Sequence, residues 1–102
     1  MIQLRILRAQ TFFQRLRGLM FYPTMPAGYD ALLLDPCRAI HGFFMRFAID
    51  AVFLDKDNRI LKVATCPPWS VGPMAWRAQR VLEMRAGAAE KTGFVEGMRI
   101  TV

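Results

Sequence analysis

From Phe47 to Leu54 every residue but Asp50 is apolar, and after Asp55-Lys56-Asp57-Asn58 a second strand-like run follows from Arg59 to Ala64. A continuous apolar run of strand length needs cover on both faces. The polar tetrad between the runs is a turn, with Asn58 suited to a left-handed backbone. The two runs are therefore a hairpin, and its first strand belongs inside the molecule. The tetrad also imitates the opening of a calcium loop, but the sixth position would be Ile60 instead of glycine and the twelfth Cys66 instead of glutamate. It is read as a turn.

The rest of the sequence must supply the cover. Ile2, Leu4 and Ile6 alternate with polar neighbours as a first strand. Thr11 caps a helix carrying Phe12, Leu16, Leu19 and Met20 on one face, weakened by Gly18 and ended by Pro23. Tyr29–Leu34 is a strand stopped by Asp35-Pro36. Thr65–Ala75, with three prolines and Gly72, is an ordered loop. Arg80–Met84 is a strand, Ala88–Thr92 a helical turn and Arg99–Val102 a closing strand. Some seven short strand candidates with one or two short helices predict a mainly β fold, either a small β-sandwich or a partly open β-barrel. No linker or repeat divides residues 1–102, which predicts a single domain. With 54% hydrophobic and 22% charged residues in 102, disorder is excluded.

Fourteen Lys and Arg against eight Asp and Glu give a net charge of +6, which favours acidic partners. The basic residues are spread along the sequence without a base-reading motif, so nucleic-acid binding is expected to be weak and non-specific. No membrane span is read, because prolines break the longest uncharged stretch. Arginines interrupt any N-terminal apolar run, so the expected location is cytoplasmic, with Cys37 and Cys66 as free thiols. Monomer or weak dimer is the expected state.

Four segments occur together: Arg15-Leu16-Arg17-Gly18-Leu19-Met20, the run from Ile40 to Asp50 that contains His41-Gly42-Phe43-Phe44-Met45-Arg46, the run from Val52 to Ile60, and Val81-Leu82-Glu83-Met84-Arg85-Ala86-Gly87. Their order and spacing resemble the domain of unknown function family number 192, small uncharacterised conserved bacterial and archaeal proteins. The resemblance implies a compact mainly β fold and no established catalytic residue. It also implies that many relatives are exported, from which this protein is expected to depart. Asn58 and Ala48 stand where the family commonly has Gly and Pro.

His41 is the only histidine, so any acid–base or metal chemistry built on imidazole must use it. Cys37 lies four residues away, about 13 Å in an extended strand. A zinc site would exhaust Cys37, Cys66, His41 and one carboxylate, so no metal and no other cofactor is assigned. Ser70 lacks a nucleophile elbow. Phe43, Phe44 and Trp69, with Trp76 close behind, are aromatic residues outside the clean strands. They either plug an open barrel end or line a binding face, flanked by Arg38, Arg46 and Arg77. The candidate binding residues are His41, Phe43, Phe44, Arg46, Asp50, Trp69 and Arg38. Asp50 is expected to be buried and paired, with Arg15, Arg38, His41 or amides near Gly42 as partners.

The leading expectation is a small non-catalytic binding or accessory module, using an aromatic, Arg-rimmed patch for an acidic or amphipathic partner. The alternatives are a small enzyme using His41 with Asp50 or Cys66, and a weak non-specific nucleic-acid binder.

Overall fold

A computed structural model of the protein describes residues 4–20 and 22–102. In sequence order the elements are β1 (Ile6–Ala9), α1 (Phe12–Arg17), β2 (Ala31–Leu34), β3 (Ile49–Leu54), β4 (Ile60–Cys66), β5 (Arg80–Arg85) and α2 (Ala88–Thr92). The strands form one mixed sheet in the order β1-β2-β5-β3-β4. β1 and β2 are parallel and the other pairs antiparallel. The mainly β expectation holds, in its open form: the sheet does not close.

The central hairpin is β3–β4, and all six residues of β3 are buried. Asn58 takes φ 63°, while Asp55 Oδ1 accepts the amides of Asp57 at 2.8 Å and Arg59 at 3.0 Å. Those amides hold the Asp55 carboxyl below its ordinary range, with Arg59 as the leading cause. Arg80 ties the turn to the sheet, donating to Asp35 at 3.2 Å and to the Asn58 side chain.

The strand pleat sorts the core into two layers. Leu32, Leu34, Ile49, Ala51, Phe53, Cys66 and Val81 share one face with Leu19, Met25, Ile40, Met45 and Ala78 from the connections. Ala31, Leu33, Val52, Leu54, Leu82 and Met84 share the other, covered by Ala89 of α2 and by Phe94, Ile100 and Val102. β5, late in sequence, lies in the middle of the sheet between β2 and β3.

Three expectations need correction. The first strand runs from Ile6 to Ala9; Ile2 and Gln3 lie outside the described residues. The first helix ends at Arg17, since Gly18 takes φ 50° and turns the backbone before Leu19 enters the core. Phe12 and Leu16 consequently stay exposed, and the helix is held by a Thr11–Gln14 capping box. The expected closing strand is reduced to one bridge, Arg59 with Arg99, because Ile100 and Val102 turn in to cover the second core layer.

Candidate functional site

Two loops carry the aromatic candidates, and two glycines bring the loops together. The Gly42 amide donates to the Ser70 carbonyl at 2.9 Å, and the Trp69 amide donates back to the Gly42 carbonyl. A Cβ at Gly42 would lie 2.3 Å from the Pro67 carbonyl oxygen. A Cβ at Gly72 would lie 1.9 Å from the Ile40 carbonyl oxygen. Only a residue without a side chain allows this approach. Ser70, whose hydroxyl donates to the Pro67 carbonyl at 2.7 Å, tightens the second loop from within.

The clamp presents an apolar face. Phe44 and Trp69, one from each loop, meet edge to face at 4.9 Å between centroids, and His41 stacks on Phe43 at 5.7 Å. Phe43 and Phe44 are each 45% exposed and Trp69 62%. Phe44 and Trp69 both have left-handed backbones, φ 61° and 60°. For bulky side chains that conformation costs of order 1–3 kcal/mol each and persists only where surrounding structure enforces it. Arg38 and Arg46 are exposed on the same connection, while Trp76 and Arg77 are exposed on a segment tied to it by the Ala75 amide and the Arg38 carbonyl.

Beside His41 the surface opens into a cavity of about 30 Å³, lined by Arg15, Leu16, Arg17, Gly18, Cys37, His41 and Glu83 among others. A volume of about 10–15 Å³ holds one water-sized atom. This cavity therefore admits two or three non-hydrogen atoms and no ring. Glu83 stands on the central strand β5 and is only 3% exposed. Its Oε1 and the Nδ1 of His41 are buried with no hydrogen-bond partner among the described residues. A Cβ on Gly18 would come within 3.1 Å of that Oε1. Burial pushes the Glu83 carboxyl from 4.5 up to about 8. Burial likewise pushes the Cys37 thiol up, and its sulfur donates to the Ala39 carbonyl at 3.0 Å.

Glu83 makes stability depend on pH. Between about 4.5 and about 8 the folded state holds a proton that the unfolded state has released. Stability should therefore fall as pH rises through that window and level off above it, by roughly 3–5 kcal/mol in all. Urea unfolding at pH 5 and pH 8 should show the slope in the parent protein and its loss in Glu83→Gln. Equal slopes in both would contradict the assignment.

Asp50 is buried, as expected, but on the opposite face of the sheet from His41. Its carboxylate accepts from the Thr65 hydroxyl at 3.0 Å, the Gly87 amide at 2.9 Å and the Ala89 amide at 3.2 Å. The anticipated partners Arg15, Arg38, His41 and the Gly42 turn are replaced by these because the pleat sends Asp50 toward α2. Cys66 is buried on the His41 side, 3.5 Å from the Ser70 hydroxyl, and does not line the cavity. Cys37 and Cys66 are both free. Among the described residues no three His, Cys, Asp or Glu are grouped to hold a metal ion. None of the described helices is long and apolar enough to cross a membrane.

A larger groove of about 680 Å³ lies on the opposite face of the sheet, between Leu4, Ile6 and Arg8 on one side and Phe94, Met98 and Ile100 on the other. It holds no buried polar group short of a partner among the described residues. The small cavity does, and the sequence hides it because Glu83 looks like a single polar position in an ordinary strand. Arg15, Gly18, His41 and Glu83 come from three of the four segments that carry the family resemblance.

The protein is 37% identical over 84 residues to the UPF0127 protein PH1112 of Pyrococcus horikoshii, covering 80% of this sequence and 73% of that protein. It is 32% identical over 89 residues to a UPF0127 protein of Thermococcus sibiricus, covering 84% of this sequence and 58% of that protein, less than two thirds of its length. A crystal structure of a protein of unknown function from Novosphingobium aromaticivorans superposes with a TM-score of 0.85, covering 97% of this protein and 75% of that one. At 21% identity that likeness shows the fold alone. The model of DUF192, the Uncharacterized ACR family, matches residues 1–102, and the protein belongs to that family.

Proposed function

We propose that the protein is a non-catalytic binding module that receives an acidic, amphipathic partner on the face formed by His41, Phe43, Phe44 and Trp69, with Arg38 and Arg46 at its rim. The observation that carries this reading is the pair of exposed, touching aromatics, Phe44 and Trp69, held at positive φ by two loops that glycines clamp together. A face built at the cost of backbone strain, with its rings about half exposed, is better explained by recognition than by packing alone. The net charge of +6 and the rim arginines favour an acidic partner.

An enzyme reading is weaker. Cys66 does not line the cavity beside His41, the Cys37 thiol that does is raised, the wrong direction for a nucleophile, and Asp50 lies across the sheet from the imidazole. The Asp50 carboxylate serves as a structural cap.

The test is amide-resolved NMR titration with an N-acetylated peptide alternating glutamate with leucine and phenylalanine. Shift changes are expected at residues 41–46 and 67–71, with the affinity falling at least tenfold in the Phe44→Ser, Trp69→Ser double variant. Changes confined to other residues, or none, would overturn the reading.

A further inference from the structure

We infer that the cavity beside His41 is a carboxylate pocket, in which the terminal carboxylate of a ligand enters past Arg15 and is held by hydrogen bonds to the buried Glu83 carboxyl and to His41 Nδ1. This deepens, and rests on, the binding face proposed above, since His41 belongs to both.

The cavity's size comes first. Room for two or three atoms fits a carboxylate head, while the ligand's apolar body would stay outside, against Leu16, which is half-exposed, and Phe43. Charge comes second. Arg15 and Arg17 stand where solvent reaches the cavity, so an entering cation is repelled and an anion attracted. Hydrogen-bonding capacity comes third. Oε1 of Glu83 and Nδ1 of His41 are the two buried side-chain polar atoms without a partner among the described residues, and they line one cavity. A neutral carboxyl, an imidazole N–H and a guanidinium are all donors, and a carboxylate offers only acceptors.

The groups facing Glu83 set the pH response. Arg15 and Arg17 come from α1, and Cys37 and His41 from the connection between β2 and β3. The flanking strands place Leu32 and Ala51 opposite Glu83 and contribute no charge. Glu83 keeps its proton to about pH 8, and its ionisation would set two carboxylates against each other in a water-poor site.

The experiment uses 4-phenylbutyrate, 4-phenylbutyramide, and the acidic peptide above as free acid and as C-terminal amide, titrated by NMR at pH 7 and pH 9. Each acid that binds should do so at least tenfold tighter than its amide at pH 7, with shifts at Gly18, His41 and Glu83. Its affinity should drop about tenfold by pH 9, as expected when only the protonated Glu83 binds. Glu83→Gln, which keeps a donor and cannot ionise, should bind with no such drop. Saturation by phenylbutyrate assigns the pocket to small organic acids, and saturation by the peptide acid alone assigns it to the carboxyl ends of polypeptides. Equal binding of acid and amide, affinity rising with pH, or a Glu83→Gln variant that titrates like the parent would overturn the pocket. After any of those three outcomes, shifts at 41–46 and 67–71 with the peptide amide leave the binding face standing. Failure of both peptides and of phenylbutyrate overturns both.

Discussion

Gly72→Ala is expected to lower the melting temperature by roughly 10–20 °C, the effect of a loss of about 3 kcal/mol in a domain of this size. The added Cβ would lie 1.9 Å from the Ile40 carbonyl oxygen and 2.9 Å from the His41 Cα, both backbone atoms that no side-chain rotation can move away. Separating the loops breaks the hydrogen bonds from the Ile40 amide to the Pro73 carbonyl and from the Gly42 amide to the Ser70 carbonyl. It also releases the constraint that keeps Phe44 and Trp69 at positive φ. The aromatic face should therefore be lost together with the stability, visible as collapse of amide shift dispersion over residues 40–45 and 67–73. Gly28→Ala is the control, because a Cβ there meets nothing within 4 Å and only its φ of 87° is strained. Thermal unfolding of Gly72→Ala indistinguishable from the parent would contradict the clamp.

Asp50→Ala should cost roughly 3–5 kcal/mol, for a different reason. Helix α2 has Gly87 at its N-cap and no side-chain cap of its own. The carboxylate of Asp50 supplies one from β3, taking the Gly87 and Ala89 amides as well as the Thr65 hydroxyl. Alanine leaves three donors without an acceptor, two of them on the backbone, and frees α2 from the sheet. Asp50→Asn should fall between the two, since one oxygen remains while the amide nitrogen faces a donor. Urea unfolding orders the three proteins. An Asp50→Ala variant as stable as the parent would remove the cap from the account.

The central hairpin was legible because its signals are local: an apolar run, a polar tetrad and an asparagine fit for φ 63°. Burial of Asp50 was legible too, because apolar neighbours on both strand faces leave a carboxylate nowhere else to go. Its partners were not, since which segment covers a strand face is decided by tertiary packing; α2 covers this one. Glu83 was missed for a similar reason. Arg80 and Arg85 bracket β5 and make it look half-exposed, yet the strand sits between β2 and β3 and Glu83 is as buried as its neighbours. The candidates His41, Phe43, Phe44 and Trp69 were legible as aromatics outside regular strands. That Gly42 and Gly72 press their loops together depends on contacts about thirty residues apart, such as Gly72 against Ile40, which no local pattern encodes. The first helix misled because Phe12 and Leu16 follow a helical stripe and still face solvent. Their spacing satisfies a helix, but Gly18 ends it before the stripe reaches the core.

The most direct measurement is a crystal structure of the protein with the N-acetylated acidic peptide, free at its C-terminus. The peptide is expected to lie across Phe43, Phe44 and Trp69, with a carboxylate between Arg15 and Glu83. A peptide seated instead in the groove between Ile6 and Ile100, with the aromatic face bare, would contradict it.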